Sequence, residues 1–214
     1  MLTVLIDTDS GNLHSAEKAF QRMAREVDGG SILVSANPED VARADRVVLP
    51  GDGAFPACRR ALVADRQALH QALLETVETR GRPFLGICVG MQLMARRGFE
   101  YEETRGFGWI DADVVPIEPQ DRTLKVPHMG WNDLLIDNPH PVLDGLITGD
   151  HAYFVHSYHM RMAETDQRIA HCEYGADEIT AIVANGTCVG TQFHPEKSQS
   201  AGLRLIANFL GWKP

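Results

Sequence analysis

The fold is best predicted from the segment Phe84-Leu85-Gly86-Ile87-Cys88-Val89-Gly90-Met91-Gln92. An apolar run leads into Cys88, which has one glycine two residues before it and another two residues after it. A strand that turns sharply into a helix can present one side chain at the bend if its neighbours lack clashing Cβ atoms. Free N–H groups and the positive end of the following helix favour a thiolate there. The segment therefore predicts a strand–turn–helix unit with Cys88 as nucleophile.

Short apolar runs alternate with helical patterns on both sides of this segment. Strands are predicted at 4–6, 32–34, 47–49, 84–87 and 152–155, and apolar residues at helical spacing predict helices within 13–23, 69–77 and 203–210. Asn185-Gly186 between the runs 179–184 and 187–193 predicts a two-residue hairpin. The pattern is typical of an α/β fold with a central, mostly parallel sheet, flanking helices and a mixed β extension. We expect one domain over residues 1–214.

Composition excludes several classes of protein. The net charge of −9 and the lack of a dense Lys/Arg cluster argue against nucleic-acid binding. No apolar run approaches the roughly 20 residues that a membrane helix needs. The cysteines are scattered without a Cys-x-x-Cys spacing, so we expect no disulfide framework, no metal site and a reducing, cytoplasmic location; they are Cys58, Cys88, Cys172 and Cys188.

A cysteine nucleophile needs a base that accepts its proton and later protonates the leaving group. His194 follows the strand predicted at 190–193 and is separated from Glu196 by one proline. Sites in open α/β sheets form at the carboxyl ends of strands, where Cys88 and His194 are both expected. A carboxylate bound to the imidazole would fix its tautomer and stabilise its charge. We predict a triad of Cys88, His194 and Glu196; a packed cysteine and a carboxylate-capped turn are the alternatives.

These motifs resemble a known family. The pattern Gly-x-Cys-x-Gly-x-Gln, followed far downstream by His-Pro-Glu, is similar to the triad-type (class I) glutamine amidotransferases. Within that family the chain resembles the glutaminase subunits of imidazole glycerol phosphate synthases. That resemblance covers nearly the whole chain and is carried by the segments 9–13, 49–55, 125–132, 153–158 and 190–198.

The resemblance implies a reaction and a partner. Glutamine would be hydrolysed to glutamate and ammonia through a cysteine thioester. The ammonia would pass to a cyclase subunit, a (β/α)8 barrel, in a heterodimer that makes imidazole glycerol phosphate and AICAR in histidine biosynthesis. It implies no cofactor.

Roles of individual residues also follow from the resemblance. Oxyanion donors would be the N–H groups of Val89 and Asp52, and the glycines beside Asp52 would let its peptide reorient and gate activity. Asp52 departs from the apolar residue usual in the family, so we expect its side chain to face solvent. Substrate contacts would come from Gly51, Gly53, Gln92, Ser157 and Tyr158. The partner interface would include Asn12, Tyr153 and Lys197.

Two other interpretations stay open. An amidotransferase subunit for anthranilate, aminodeoxychorismate or pyridoxal phosphate would share the Cys88 segment but lack the segment 125–132. A catalytically silent module would use the pocket for binding alone, and an intact triad argues against it.

Overall fold

The computed structural model describes residues 1–8, 13–121 and 123–214. The strands, in chain order, are β1 (Leu2–Ile6), β2 (Ser31–Ser35), β3 (Arg46–Gly51), β4 (Phe84–Cys88), β5 (Ala95–Gly98), β6 (Thr104–Arg105), β7 (Ile110–Pro116), β8 (His128–Asp133), β9 (Leu135–Ile136), β10 (His151–His156), β11 (Tyr158–Met162), β12 (Arg168–Tyr174), β13 (Asp177–Asn185) and β14 (Cys188–Thr191). The helices are α1 (Leu13–Glu26), α2 (Pro38–Ala42), α3 (Phe55–Val63), α4 (Gln67–Leu74), α5 (Val89–Gln92) and α6 (Gln199–Gly211). A π-helical turn, Glu75–Thr79, continues α4, and short 3-10 turns occur at Pro141–Leu143 and Pro195–Lys197.

The main sheet has the strand order β2-β1-β3-β4-β14-β13-β12-β9. Pairing is parallel from β2 to β14 and antiparallel from β14 to β9. Because β2 and β3 lie on opposite sides of β1, right-handed connections bring α1 and α2 to opposite faces. Helix α1 packs against α6, and α2 packs against α4. The predicted sheet with flanking helices is confirmed, and burial on both faces explains the continuous apolar runs of β3 and β4.

Two smaller sheets form the predicted β extension. Strands β8 and β10 pair antiparallel, and a second sheet has the order β11-β7-β5-β6. In that second sheet β5 and β7 are parallel, whereas the other pairs are antiparallel. The extension is therefore mixed, as predicted.

Two boundaries differ from the prediction by a few residues. The hairpin turn consists of Gly186 and Thr187, one residue later than predicted, because Asn185 still pairs with Cys188. Gly186 has φ +56°, which suits the first central position of a type II′ turn. The strand before His194 ends at Thr191 rather than Phe193, because the Thr191 hydroxyl donates to the Phe193 carbonyl at 3.0 Å and bends the chain.

No helix among the residues described is long and apolar enough to span a bilayer.

Candidate active site

Cys88 occupies a sharp bend at the end of β4. Its φ of +55° is rare for a residue with a side chain. A Cβ on Gly86 would lie 2.5 Å from the Gly90 carbonyl oxygen, and a Cβ on Gly90 would lie 1.8 Å from the Leu49 carbonyl oxygen. Both contacts are far too short for any larger residue. The flanking glycines are therefore required by packing, and the strand–turn–helix unit predicted from the sequence is confirmed.

The helix after Cys88 is shorter than the prediction assumed. Helix α5 comprises the four residues Val89–Gln92, and the chain reaches β5 at Ala95. One turn sums few peptide dipoles, so the expected macrodipole contribution to a thiolate is small. The N–H groups of the first turn still have no partner within the helix and can serve as donors.

Strand register brings the predicted residues to one edge of the main sheet. Gly51 at the end of β3 pairs with Cys88, and Thr191 at the end of β14 pairs with Ile87. His194 follows three residues after Thr191 and begins the 3-10 turn that contains Glu196. The carboxyl ends of three adjacent parallel strands therefore supply the site, in agreement with the general rule for open α/β sheets.

Cys88, His194 and Glu196 lie together at this edge of the sheet. His194 Nδ1 lies 2.8 Å from Glu196 Oε1, and the Cys88 side chain is close enough to raise the pKa of His194. Cys88 is 5% exposed and His194 8% exposed. Burial lowers the pKa of His194, but hydrogen bonds and charges from Cys88 and Glu196 outweigh it and raise that pKa to about 10. The imidazole is thus held in its charged form at neutral pH.

A cavity of about 240 Å³ opens beside the sulfur. It contains most of the substrate and oxyanion residues expected from the sequence. Its lining is Asp52, Gly53, Cys88, Val89, Gln92, Glu100, Pro127, Val155, His156, Ser157 and Tyr158. Gly51 is buried behind this lining, where a Cβ would lie 2.6 Å from the Gly90 nitrogen.

Gln92 is a buried part of the cavity wall, not an exposed helix residue. It is 3% exposed, and its amide donates to the Tyr158 carbonyl at 2.9 Å and to Gln192 Oε1 at 3.1 Å. Gln192 in turn directs its amide toward Cys88 Sγ at 3.7 Å. These contacts connect the cavity wall to the sulfur.

The two expected oxyanion donors belong to residues near Cys88, one next to it in the chain and one next to its partner Gly51 across the sheet. Val89 is the first residue of α5, and Asp52 follows the end of β3. Asp52 is an exposed residue that also lines the cavity, so a solvent-facing side chain stays a prediction. Gly53 has φ +106°, and a Cβ there would meet no atom within 4 Å. In the segment 51–53, Gly51 is therefore closely packed, whereas the space around Gly53 is open.

Several residues of the site could not be found from sequence spacing. Glu100 reaches the cavity from the loop after β5, and its carboxylate accepts from the Phe55 N–H at 2.7 Å. His156 lines the cavity, with its Nδ1 2.9 Å from the Tyr158 carbonyl oxygen and its Nε2 3.1 Å from His128 Nδ1. Gln192 lies inside a motif that the sequence singled out only for His194. None of these contacts has a local signature in the chain.

One expected interface residue, Tyr153, belongs to an exposed apolar surface on the β8–β10 pair. Tyr153 on β10 is half-buried, Lys197 is exposed, and Asn12 lies outside the described residues. On the β8–β10 pair, Trp131 is opposite Tyr153 and Met129 is opposite Val155. Trp131 is 48% exposed and Met129 62%. We call these four residues, Met129, Trp131, Tyr153 and Val155, the docking face.

No group of three or more His, Cys, Asp or Glu side chains in the described part of the chain could hold a metal ion.

Comparison with known proteins gives consistent results. The family profile described as glutamine amidotransferase class-I matches residues 4–211. The chain is similar to the imidazole glycerol phosphate synthase subunit HisH of Cereibacter sphaeroides, with 71% identity over 214 residues and 100% of both chains covered. It is 61% identical to the subunit of that name from Ruegeria pomeroyi, again over 100% of both chains.

Solved structures share the fold at low identity. A crystal structure of a glutamine amidotransferase matches with a TM-score of 0.70 and 19% identity, over 98% of this chain and 99% of that chain. The structure of PurLQS from Thermotoga maritima matches with a TM-score of 0.66 and 17% identity, over 98% and 96% of the two chains.

Proposed function

The chain belongs to the class-I glutamine amidotransferase family, and from this premise we propose how its residues hydrolyse glutamine. It is the glutaminase subunit of an imidazole glycerol phosphate synthase and acts in histidine biosynthesis. The observation that carries the proposal is the His194–Glu196 hydrogen bond next to Cys88, which lines a cavity of amino-acid size.

Cys88 transfers its proton to His194, and the resulting thiolate attacks the side-chain amide carbon of glutamine. An amide nitrogen leaves poorly as an anion, so the His194 imidazolium donates a proton to it and ammonia departs. Water then attacks the remaining thioester, with neutral His194 as general base, and glutamate is released. Glu196 holds the imidazole through Nδ1, which leaves Nε2 for the proton transfers.

Both steps pass through an oxyanion, which the N–H groups of Val89 and Asp52 stabilise. We propose that the peptide between Gly51 and Asp52, which carries the Asp52 N–H, reorients to complete this pair of donors. The open space at the neighbouring Gly53 supports such a movement, because a Cβ there would meet no atom within 4 Å. Measuring glutaminase rate with and without the partner and the partner's ligand tests this gating; equal rates would exclude it.

Substrate recognition follows from the polar groups around the cavity. The Glu100 carboxylate suits the α-ammonium of glutamine, since it is a negative group at the cavity edge. Gln92 and main-chain groups of Gly51, Gly53, Ser157 and Tyr158 complete the contacts to the α-amino-acid end. The cavity volume suits a free amino acid.

The ammonia is used by a cyclase subunit, with which the chain forms the synthase. We propose that this partner is a (β/α)8 barrel that covers the docking face, in contact with Tyr153, Lys197 and Asn12. Exposed aromatic and Met side chains grouped on one face support this, because such residues are enriched at interfaces. The cysteines Cys58, Cys88, Cys172 and Cys188 are free, which supports a reducing, cytoplasmic location.

Replacing the nucleophile tests the proposed function. Cys88→Ala should abolish glutamine-dependent synthesis in the complex, while ammonium salts should still support the cyclase reaction. Glutamate release measures the glutaminase reaction, and imidazole glycerol phosphate formation measures the cyclase reaction. Glutamine-dependent turnover by Cys88→Ala would refute the assignment of the nucleophile.

A further inference from the structure

The turn that carries His194 and Glu196 is fixed between strand β10 and helix α6. His194 N–H donates to the Tyr153 carbonyl at 3.1 Å. On the other side, Gly202 of α6 lies so close that a Cβ there would be 1.9 Å from the Pro195 carbonyl oxygen. The residues 194–198 therefore have packed neighbours on both sides.

The Ser198 side chain completes the connection to β10. Its Oγ accepts from the Tyr153 N–H at 2.9 Å and donates to the His194 carbonyl at 2.7 Å. Ser198 is 1% exposed, so both bonds are shielded from bulk water. A hydroxyl can donate once and accept at the same time, and an alanine can do neither.

These bonds connect both main-chain groups of His194 to a single residue. The His194 N–H binds the Tyr153 carbonyl directly, and the His194 carbonyl reaches the Tyr153 N–H through Ser198 Oγ. The main-chain position of His194 relative to β10 is thereby fixed at two points. The imidazole must lie within hydrogen-bond distance of both Cys88 and Glu196, so a displaced main chain would displace the proton donor.

We propose that Ser198 is a positioning residue for the glutaminase reaction, which fixes His194 relative to Cys88 through its bridge to Tyr153. The proposal rests on the proposed function, because it assumes that His194 transfers protons to and from the substrate. Ser198 itself touches neither the substrate cavity nor the sulfur, and it acts through the main chain of His194.

The bridge also ends at a residue of the docking face. The Tyr153 ring lies 5.8 Å from the Trp131 ring, centroid to centroid. The main chain of Tyr153 is hydrogen-bonded to residues 194–198, which we call the catalytic turn. A partner that contacts the Tyr153 ring therefore contacts the residue whose main chain is hydrogen-bonded to His194. Loss of the Ser198 bridge should accordingly reduce the effect of the partner on glutamine hydrolysis.

The test compares four variants in the complex with the cyclase subunit. Ser198→Ala removes the bridge, and Ser198→Thr keeps a hydroxyl. Thr76→Val is the matched control, because the Thr76 hydroxyl is also fully buried and donates to a main-chain carbonyl, that of Val41, at 3.1 Å. Cys88→Ala tests the proposed function itself. Glutaminase kcat and KM, thermal midpoint and co-elution with the partner are measured for each.

Ser198→Ala should lower kcat by roughly 30-fold with KM changed less than about threefold, since a small displacement of a catalytic group can cost a hundredfold. Ser198→Thr should recover most of that loss, and Thr76→Val should keep the wild-type kcat although its thermal midpoint falls comparably. Ser198→Ala with a kcat equal to that of Thr76→Val, or no recovery by Ser198→Thr, would overturn the proposal. Activity in Cys88→Ala would instead overturn the proposed function, so the two failures are distinguishable.

Discussion

At the scale of single residues, the state of His194 is set by its two neighbours. Hydrogen bonds and charges from Cys88 and Glu196 raise its pKa to about 10 against the opposing effect of burial. A group whose pKa is higher in the folded than in the unfolded chain stabilises the fold. Its full contribution is present at pH values below the unfolded pKa, which is about 6.5 for histidine. That contribution is lost as pH rises from about 6.5 through the folded pKa.

Removing the carboxylate charge should therefore change both activity and pH dependence. Glu196→Gln keeps the shape of the side chain but should lower the His194 pKa and reduce kcat/KM by roughly 10²–10⁴-fold, as in other triads. As pH rises from 7 to 9.5, the thermal midpoint of Glu196→Gln should fall less than that of the wild type. Calorimetry and glutamate release across this range are the measurements.

Glu118→Gln, which changes an exposed carboxylate, serves as the control. A wild-type rate in Glu196→Gln would show that the carboxylate does not orient the base.

Residues with a local signature could be predicted from the sequence, and those without one could not. Cys88 is marked by its glycines, and His194 and Glu196 by their shared motif at a strand end. Glu100 and His156 reach the same cavity only because β5, β10 and β4 converge in space. Their positions depend on side-chain packing between distant segments, which spacing along the chain does not encode.

At the scale of secondary structure, helix α6 packs closely on the catalytic turn, and substitution of its glycines tests this contact. Gly202→Ala would place a Cβ 1.9 Å from the Pro195 carbonyl oxygen, whereas a Cβ on Gly211 of that helix would meet no atom within 4 Å. We expect Gly202→Ala to lose roughly 1–3 kcal/mol or more from overpacking and to lose glutaminase activity. Chemical denaturation and glutamate release measure the two effects.

Gly211→Ala is the matched control. Alanine favours helix over glycine by up to about 1 kcal/mol, so this variant should be neutral or slightly more stable. Equal stability of the two variants would mean that α6 does not press on the turn.

Element boundaries were harder to predict than element types. The apolar run before Cys88 correctly predicted β4, but α5 ends after one turn because the chain continues into β5. The strand before His194 stops early because a threonine hydroxyl competes for a main-chain carbonyl. Apolar periodicity reports which residues are buried, and it says little about such local hydrogen bonds.

At the scale of the whole molecule, neutral histidines that are buried or half-buried should make the fold sensitive to acid. Burial is the main cause that lowers the pKa of His128 and His159 to about 4 and that of His156 to about 3. Below pH 6.5 the unfolded chain takes up protons that the folded chain does not, so stability falls with pH. At pH 5 the loss reaches up to about 2 kcal/mol per histidine.

The thermal midpoint should therefore be several degrees lower at pH 5 than at pH 7. His159→Gln should reduce this difference, whereas His151→Gln, which changes an exposed histidine, should not. A midpoint that is constant from pH 7 to pH 5 would contradict the prediction. Differential scanning calorimetry in matched buffers is the measurement.

Association with the cyclase subunit should depend on the docking face. Trp131→Ala should weaken binding by roughly 30-fold, since half-exposed aromatic residues at interfaces often contribute about 2 kcal/mol. Val27→Ala is the control. Val27 is exposed to a similar extent, 42%, but it directly follows helix α1 and is not part of the β8–β10 pair. Titration calorimetry with the purified cyclase compares them, and equal affinities would exclude the docking face as the interface.

Strand β10 alternates between two roles along its length. His151, Tyr153 and Val155 point outward with the docking face, while Ala152, Phe154 and His156 are buried. A side-chain period of two means that point substitutions at His151 and Tyr153 can change the outward set without disturbing the inward one, whereas Val155 also lines the substrate cavity. Inserting or deleting one amino acid would exchange the two sets at once, exposing Phe154 and burying the tyrosine ring. Evolution and protein engineers alike can thus vary partner specificity here by replacement, but not by changing the length of the strand.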